Sequence, residues 1–347
     1  MKALAVFWLL LLLVGGAGAG WLHVLGPPRE GRVAEAQEPE APPTVTMPAA
    51  PQLPTLPPVV SREPPAPAAP PAPAQQPPLA VAEPDAALIE RLREGSLPRV
   101  AEDGRAAWQT YARPFDQAER RPRIGLLVAG LGISQSATEQ AIEKLPGAVS
   151  LAFSPYGLRL AEFAAQARAD GHEVLVGIPM EPVGFPLNDP GPYALLTSLP
   201  WGENNQRLIW VLSRFPGYVG ATNVLGPTLR GERFSASPEA MRPMLEVLRA
   251  RGLLFVEARP GEAAPAGLPS RAVDVLVDER PVRAEIEARL ADLEKLARER
   301  GAALGLSGSS PLVLDRIAAW AGTVEGRGFV LAPVTALTRD DGRQAQR

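Results

Sequence analysis

The chain has 347 residues, 46% of them hydrophobic, a formal net charge of −3 and no cysteine. The small net charge and the lack of a long basic run argue against nucleic acid as a partner. Without cysteine there are no disulfides, thiolate nucleophiles or cysteine-held metals. His23 and His172 are the only histidines, too few for a multi-histidine zinc site.

Residues 3–26, ALAVFWLLLLLVGGAGAGWLHVLG, carry no Asp, Glu, Lys or Arg. A helix needs about 20 apolar residues to cross a bilayer. Residues 1–26 therefore predict a single-pass inner-membrane anchor with Lys2 cytoplasmic and the rest of the chain periplasmic. The alternative is a signal peptide with its apolar core at 5–14 and small residues at 15–20, released to the periplasm after cleavage. Between Pro27 and Pro84 fall 19 of the 40 prolines. This composition predicts a disordered Pro/Ala-rich linker over 27–84, extended in polyproline II form. Residues 85–120 predict a helical arm. In 85–99, DAALIERLREGSLPR, Leu88, Ile89 and Leu92 have amphipathic spacing, and Trp108, Tyr111 and Phe115 follow at intervals of three and four.

From Arg123 onward apolar runs alternate with amphipathic segments. Strands are predicted at 124–128, 148–153, 173–178, 218–222, 253–256, 273–277, 302–306 and 328–331. Helices are predicted at 134–145, 158–170, 203–215, 238–251, 281–300 and 311–323. Ser237-Pro238 and Ser310-Pro311 set a cap residue before a first-turn proline, and Gly171, Gly252 and Gly301 stand just past helix ends. This alternation predicts an α/β fold with a parallel sheet, and seven or eight repeats favour a barrel. Residues 339–347 read as a polar tail.

In a barrel the strand C-termini form the functional face. They carry Ala129 to Gly132, Glu181, Asn223 to Pro227, Glu257 to Arg259, Asp278 and Glu279, and Ser307 to Ser310. The segments IGLLVAGLG (124–132), EVLVGIPMEP (173–182), GYVGATNVLG (217–226), RGLLFVEAR (251–259) and GLSGSSP (305–311), in this order, resemble the motifs of the divergent polysaccharide deacetylase family. The resemblance covers residues 121–338. It implies a NodB-like distorted (β/α) barrel of seven to eight strands and a role in envelope carbohydrate metabolism.

Members of that family commonly read D-D-L-G after the first strand, N-H-M-G-S after the fourth, D-S-R after the fifth and G-H-P-H-P after the seventh. In active relatives an Asp and His residues hold a divalent metal that activates water, and a second Asp is the base. Here the two Asp positions are Ala129 and Gly130, the first histidine position is Val224, the following serine position is Pro227, and glycine and serine replace the last histidines. The resemblance therefore implies a catalytically impaired protein without metal or other cofactor, binding envelope polysaccharide, peptidoglycan or a protein partner. Two alternatives stand beside it. A metal-independent glycan hydrolase would use the carboxylates Glu181, Glu257 and Asp278, with Asn223, Arg259, Ser307 and Ser310 lining its cleft and Arg259 a ready partner for Glu257. A dinucleotide-binding protein would use Gly130-Leu131-Gly132, although Gln135 stands at the third glycine position. His172, which precedes a strand, is expected to be a surface or turn residue at the opposite end of the barrel.

Overall fold

The computed structural model describes residues 79–93, 95–226 and 230–338. The apolar segment at 3–26, the linker up to residue 78 and the tail at 339–347 lie outside them. Among the described residues no helix is long and apolar enough to cross a membrane.

The described chain opens with a hairpin of β1 (Ile89–Leu92) and β2 (Gly95–Pro98), followed by α1 (Ala107–Thr110). Strands and helices then alternate: β3 (Arg123–Leu131), α2 (Gln135–Lys144), β4 (Ser150–Phe153), α3 (Leu160–Ala169), β5 (Val174–Gly177), α4 (Trp201–Leu212) and β6 (Gly220–Thr222). Next come α5 (Glu232–Ser235), α6 (Pro238–Ala250), β7 (Leu254–Glu257), β8 (Ser270–Ala272) and β9 (Val275–Leu276). The chain continues with α7 (Arg283–Arg300), β10 (Ala302–Ser307), α8 (Pro311–Val324), β11 (Val330–Leu331) and α9 (Val334–Leu337).

The sheet runs β8-β7-β6-β5-β4-β3-β10-β9, every pair parallel, with β11 beside β3. β3 is the hub. β10 lies along one edge, and the other edge is shared by β11 at Arg123 and Ile124 and by β4 from Leu127 onward. β4, β5 and β7 are buried at every residue, as expected for short strands covered on both faces. The helices bring one apolar stripe each: in α7 Ile286, Leu290, Leu293 and Ala297 recur at helical spacing and are buried.

The predicted barrel is not closed by a ladder between its end strands. The chain at 270–277 does the closing by changing partner midway. Ser270 to Ala272 pair with β7, and Val273 N still donates to Glu257 O at 2.9 Å. Asp274 N then turns to Leu304 O at 2.8 Å, and Val275 and Leu276 pair with β10. The Asp274 carboxylate fixes the change-over by accepting Leu304 N at 2.8 Å and pairing with Arg271. The architecture is thus a curled parallel sheet wrapped by helices, with strand C-termini gathered at one end.

Three local expectations are corrected. Residues 85–99 do not form the predicted helix. Asp85 caps one 3₁₀ turn (Ala86–Leu88), and the chain then extends into the hairpin. A Cβ at Gly95 would come within 2.3 Å of Ser213 O, so the backbone there is held against the end of α4, where a helix does not fit. β3 does not stop at Val128 but continues to Leu131 through an irregularity, with Gly130 at φ +80°. His172 does precede β5 but is fully buried, its ring nitrogens 2.7 Å from Val149 O and 3.2 Å from Ile142 O. The packed unit also reaches back to Val81, a core residue whose N donates to Arg168 O at 2.9 Å.

At this N-terminal end of the strands sits Glu173, fully buried. It accepts Arg113 N at 3.0 Å, Thr335 N at 3.1 Å, Ser150 Oγ at 3.4 Å and the Thr335 hydroxyl, joining arm, β4 and α9. Burial pushes its carboxyl up from 4.5 to about 7 despite those donors. A raised folded-state value favours the native protein fully below pH 4.5, and that advantage is lost as pH rises through about 7. Burial pushes His172 down, an effect of opposite sign below pH 6.5 that Glu173→Gln leaves in place. The unfolding free energy of wild type relative to Glu173→Gln, measured in urea, should therefore fall by up to about 3 kcal/mol between pH 5 and pH 8. An unchanged difference contradicts the account.

Candidate functional site

The C-terminal end of the strands carries three polar groupings, separated by the loops that hold them. The first joins β6, β7 and α5. Asn223, just past β6, donates from Nδ2 to Glu257 Oε1 at 2.8 Å, to Ser235 Oγ at 2.9 Å and to Arg230 O at 3.1 Å. Its Oδ1 accepts Ala258 N at 2.8 Å. Glu257, the last residue of β7, is gripped by Arg259, whose Nε and Nη2 each donate to one of its oxygens at 3.0 Å. Arg259 N donates to Oε1 at the same distance, and Arg259 Nη2 reaches on to Ser235 O at 3.2 Å. A two-pronged Arg–carboxylate pair of this kind is strong and directional.

The second grouping centres on Glu181, beyond β5 and buried. Its Oε2 accepts both Thr197 N and Thr197 Oγ1 at 2.6 Å, and its Oε1 lies 3.3 Å from Arg233 Nε. Its own N donates to Leu195 O, and its O accepts Arg233 N and Phe234 N. Glu181 therefore staples the long excursion between β5 and α4 to the start of α5.

The third grouping is a small cleft lined by Val224, Arg230, Leu276, Asp278, Glu279 and Ser307. Asp278 accepts Gly308 N at 2.8 Å, and burial raises its carboxyl above the usual range. Ser307, at the end of β10, is buried and its Oγ has no hydrogen-bond partner. Ser310 lies apart, exposed, at the cap position of α8, with no capping bond from its side chain.

The structure thus brings Asn223, Glu257 and Arg259 into one cluster and Asp278 and Ser307 into another, leaving Glu181 and Ser310 elsewhere. Sequence reasoning misses Ser235 and Thr197, the residues that complete two of the groupings. Ser235 stands in a four-residue helix too short to leave a periodic signal, and Thr197 lies in an excursion without regular structure between its strand and helix.

The donor set does not fit the divalent metal that the resemblance assigns to active relatives. The β3 end offers the methyl of buried Ala129 and the bare Cα of Gly130. A Cβ on Gly130 would lie 3.0 Å from Leu225 O, and one on Gly177 would lie 2.5 Å from Val224 O. The backbone at 224–225 therefore packs directly on a glycine floor. Among the described residues no three His, Cys, Asp or Glu side chains are arranged to hold a metal ion.

Replacing Arg259 with alanine strips Glu257 of two charged donors and leaves a buried carboxylate behind. The Arg259→Ala variant should lose about 3 kcal/mol of stability in urea titrations. A loss below about 1 kcal/mol, the range of an exposed ion pair, would show that the clamp is not structural.

A family model for divergent polysaccharide deacetylases matches residues 126–338. Among solved structures, an uncharacterized protein of Agrobacterium tumefaciens C58 (ATU2773) is 35% identical with a TM-score of 0.65, covering 70% of this chain and 99% of its own. The catalytic domain of a peptidoglycan N-acetylglucosamine deacetylase from Eubacterium rectale is 11% identical with a TM-score of 0.39, covering 61% of this chain and 88% of its own. No curated protein matches the chain. On the extent of the family match, the chain belongs to the divergent polysaccharide deacetylase family.

Proposed function

We propose that this domain is a glycan-binding member of its family, held in the cell envelope, that has given up metal-dependent deacetylation. The observation that carries the reading is the glycine floor. Where active relatives present aspartates and a histidine, this chain has Ala129, Gly130 and Val224, and the backbone at 224–225 occupies the space above. An alanine cannot abstract a proton and a valine cannot ligate a metal, so these positions cannot supply the chemistry of active relatives. Asp278 supports binding: it lines the cleft beside Arg230, and a sugar hydroxyl suits a carboxyl held by backbone donors such as Gly308 N. At about 10 Å³ the cleft takes a single hydroxyl and not a sugar ring.

The N-terminal apolar segment and the proline-rich stretch support membrane tethering, or export after cleavage, with the domain in the periplasm. Acid–base hydrolysis by Glu181, Glu257 and Asp278 has weaker support, because the first two are saturated by Thr197, Arg233, Arg259 and Asn223. A dinucleotide would need a free glycine turn. Gly132 N is instead bound to Thr138 Oγ1 at 2.9 Å, and Leu160 covers its Cα.

Equilibrium dialysis with chitooligosaccharides and soluble peptidoglycan fragments should show binding that falls at least about tenfold in Asp278→Ala, the range for losing a charged hydrogen bond. Acetate release with added zinc should match the protein-free blank. Release above that blank, abolished by a chelator, would overturn the reading.

Restoring an acid at Gly130 tests the floor itself. The Gly130→Asp variant sets a side chain at φ +80° against Leu225 O and should lose about 1–3 kcal/mol without gaining zinc-stimulated acetate release.

A further inference from the structure

The loops that leave β3, β4 and β5 present the large aliphatic side chains of Ile133, Leu158, Val183 and Leu187 to solvent, and Leu312, in the first turn of α8, follows β10. Leu158 and Leu187 are each 95% exposed. These four strands are consecutive in the sheet, so their loops form one arc of the same end. They also touch. A Cβ on Gly157 would lie 2.5 Å from Gly132 O, and Tyr193 N donates to Tyr156 Oη at 3.2 Å. Ile133 and Leu158 thus rise from abutting turns, and the excursion carrying Val183 and Leu187 leans on the second.

Charge is distributed unevenly around this end. Residues 132–134, 154–158 and 308–312 carry none, and the excursion at 182–200 carries only Asp189. Arg159, paired with Glu162, directly follows Leu158, and Arg214 donates to Pro155 O and Gly157 O. The loops after β6, β7 and β9 hold Arg230, Arg259, Glu262, Glu279 and Arg280. Aliphatic tips with cations at their edge are poor contacts for a sugar and good ones for hydrocarbon beneath anionic headgroups.

The chain outside the described residues supplies the second argument. It contains an uncharged stretch at 3–26 long enough to span a bilayer, joined to the domain by residues 27–78. A bilayer is the partner that this stretch would bring to the domain, so the inference rests on the membrane tethering proposed above.

We propose that the arc formed by Ile133, Leu158, Val183, Leu187 and Leu312 inserts into the interfacial region of a lipid bilayer and holds the charged arc of the same end beside the membrane surface. The proposal stands whether or not the cleft binds glycan.

The chain has no cysteine, so single labels are clean. Full-length Leu158→Cys and Leu187→Cys, each with an environment-sensitive fluorophore, are reconstituted in phosphatidylethanolamine/phosphatidylglycerol vesicles with or without acyl-brominated lipid. Bromination should quench both labels about twofold or more, and leave a label at Val100→Cys, at the opposite end of the strands, unchanged. In a second set of variants, a label at Ile133→Cys should lose its quenching when Leu158→Asp and Leu187→Asp are added, with the melting curve unchanged. Equal quenching at Val100 overturns the proposal. So does full iodide access to residues 158 and 187 in vesicles. Shielding that appears without lipid and grows with protein concentration also overturns it, in favour of a second copy on the arc.

Discussion

A carboxylate taken out of water must be met by donors, and the described domain buries four of them: Glu173, Glu181, Glu257 and Asp278. How each is met decides most of what the molecule can do. Glu173 joins the arm, β4 and α9 at the N-terminal end of the strands. Glu181 and Glu257, at the other end, hold the excursion after β5 and the turn after β7 in place. Their oxygens are occupied by Thr197, Arg233, Arg259 and Asn223, so they shape the end of the sheet and leave the cleft to Asp278.

The same economy appears in the backbone. Gly130 and Gly177 let the segment at 224–225 settle onto the strand ends, where a Cβ would collide with Leu225 O or Val224 O. In a fold whose strand C-termini are the place for chemistry, that contact exchanges side-chain donors for packing. The change-over at Asp274 completes the frame: one segment serves first β7 and then β10, so the sheet curls around a single core without a ladder joining β8 to β9.

Much of this is legible from local pattern. The stripe of Ile286, Leu290, Leu293 and Ala297 marks α7. Ser237-Pro238 marks the start of α6, where Ser237 Oγ does accept Ala240 N, and the runs SLAF and VLVG mark buried strands. Residues 85–99 mislead because Leu88, Ile89 and Leu92 satisfy a helical spacing equally well. Gly95 against Ser213 O, a contact more than a hundred residues distant, settles the matter. His172 reads as a turn residue because nothing adjacent to it in sequence shows that Val149 O and Ile142 O await its ring.

By itself the sequence determined the α/β alternation, the family, the strand ends where a site belongs, and the missing aspartates and histidine there. These are local or positional properties, written in residue identity and spacing. Only the tertiary structure decided which polar residues at those ends are engaged and which face a cleft. Thr197 on Glu181, Ser235 on Asn223 and Gly308 N on Asp278 are partners from other loops. Hydrogen bonds act over about 3 Å in space, whatever the separation along the chain, so only folding brings such partners together.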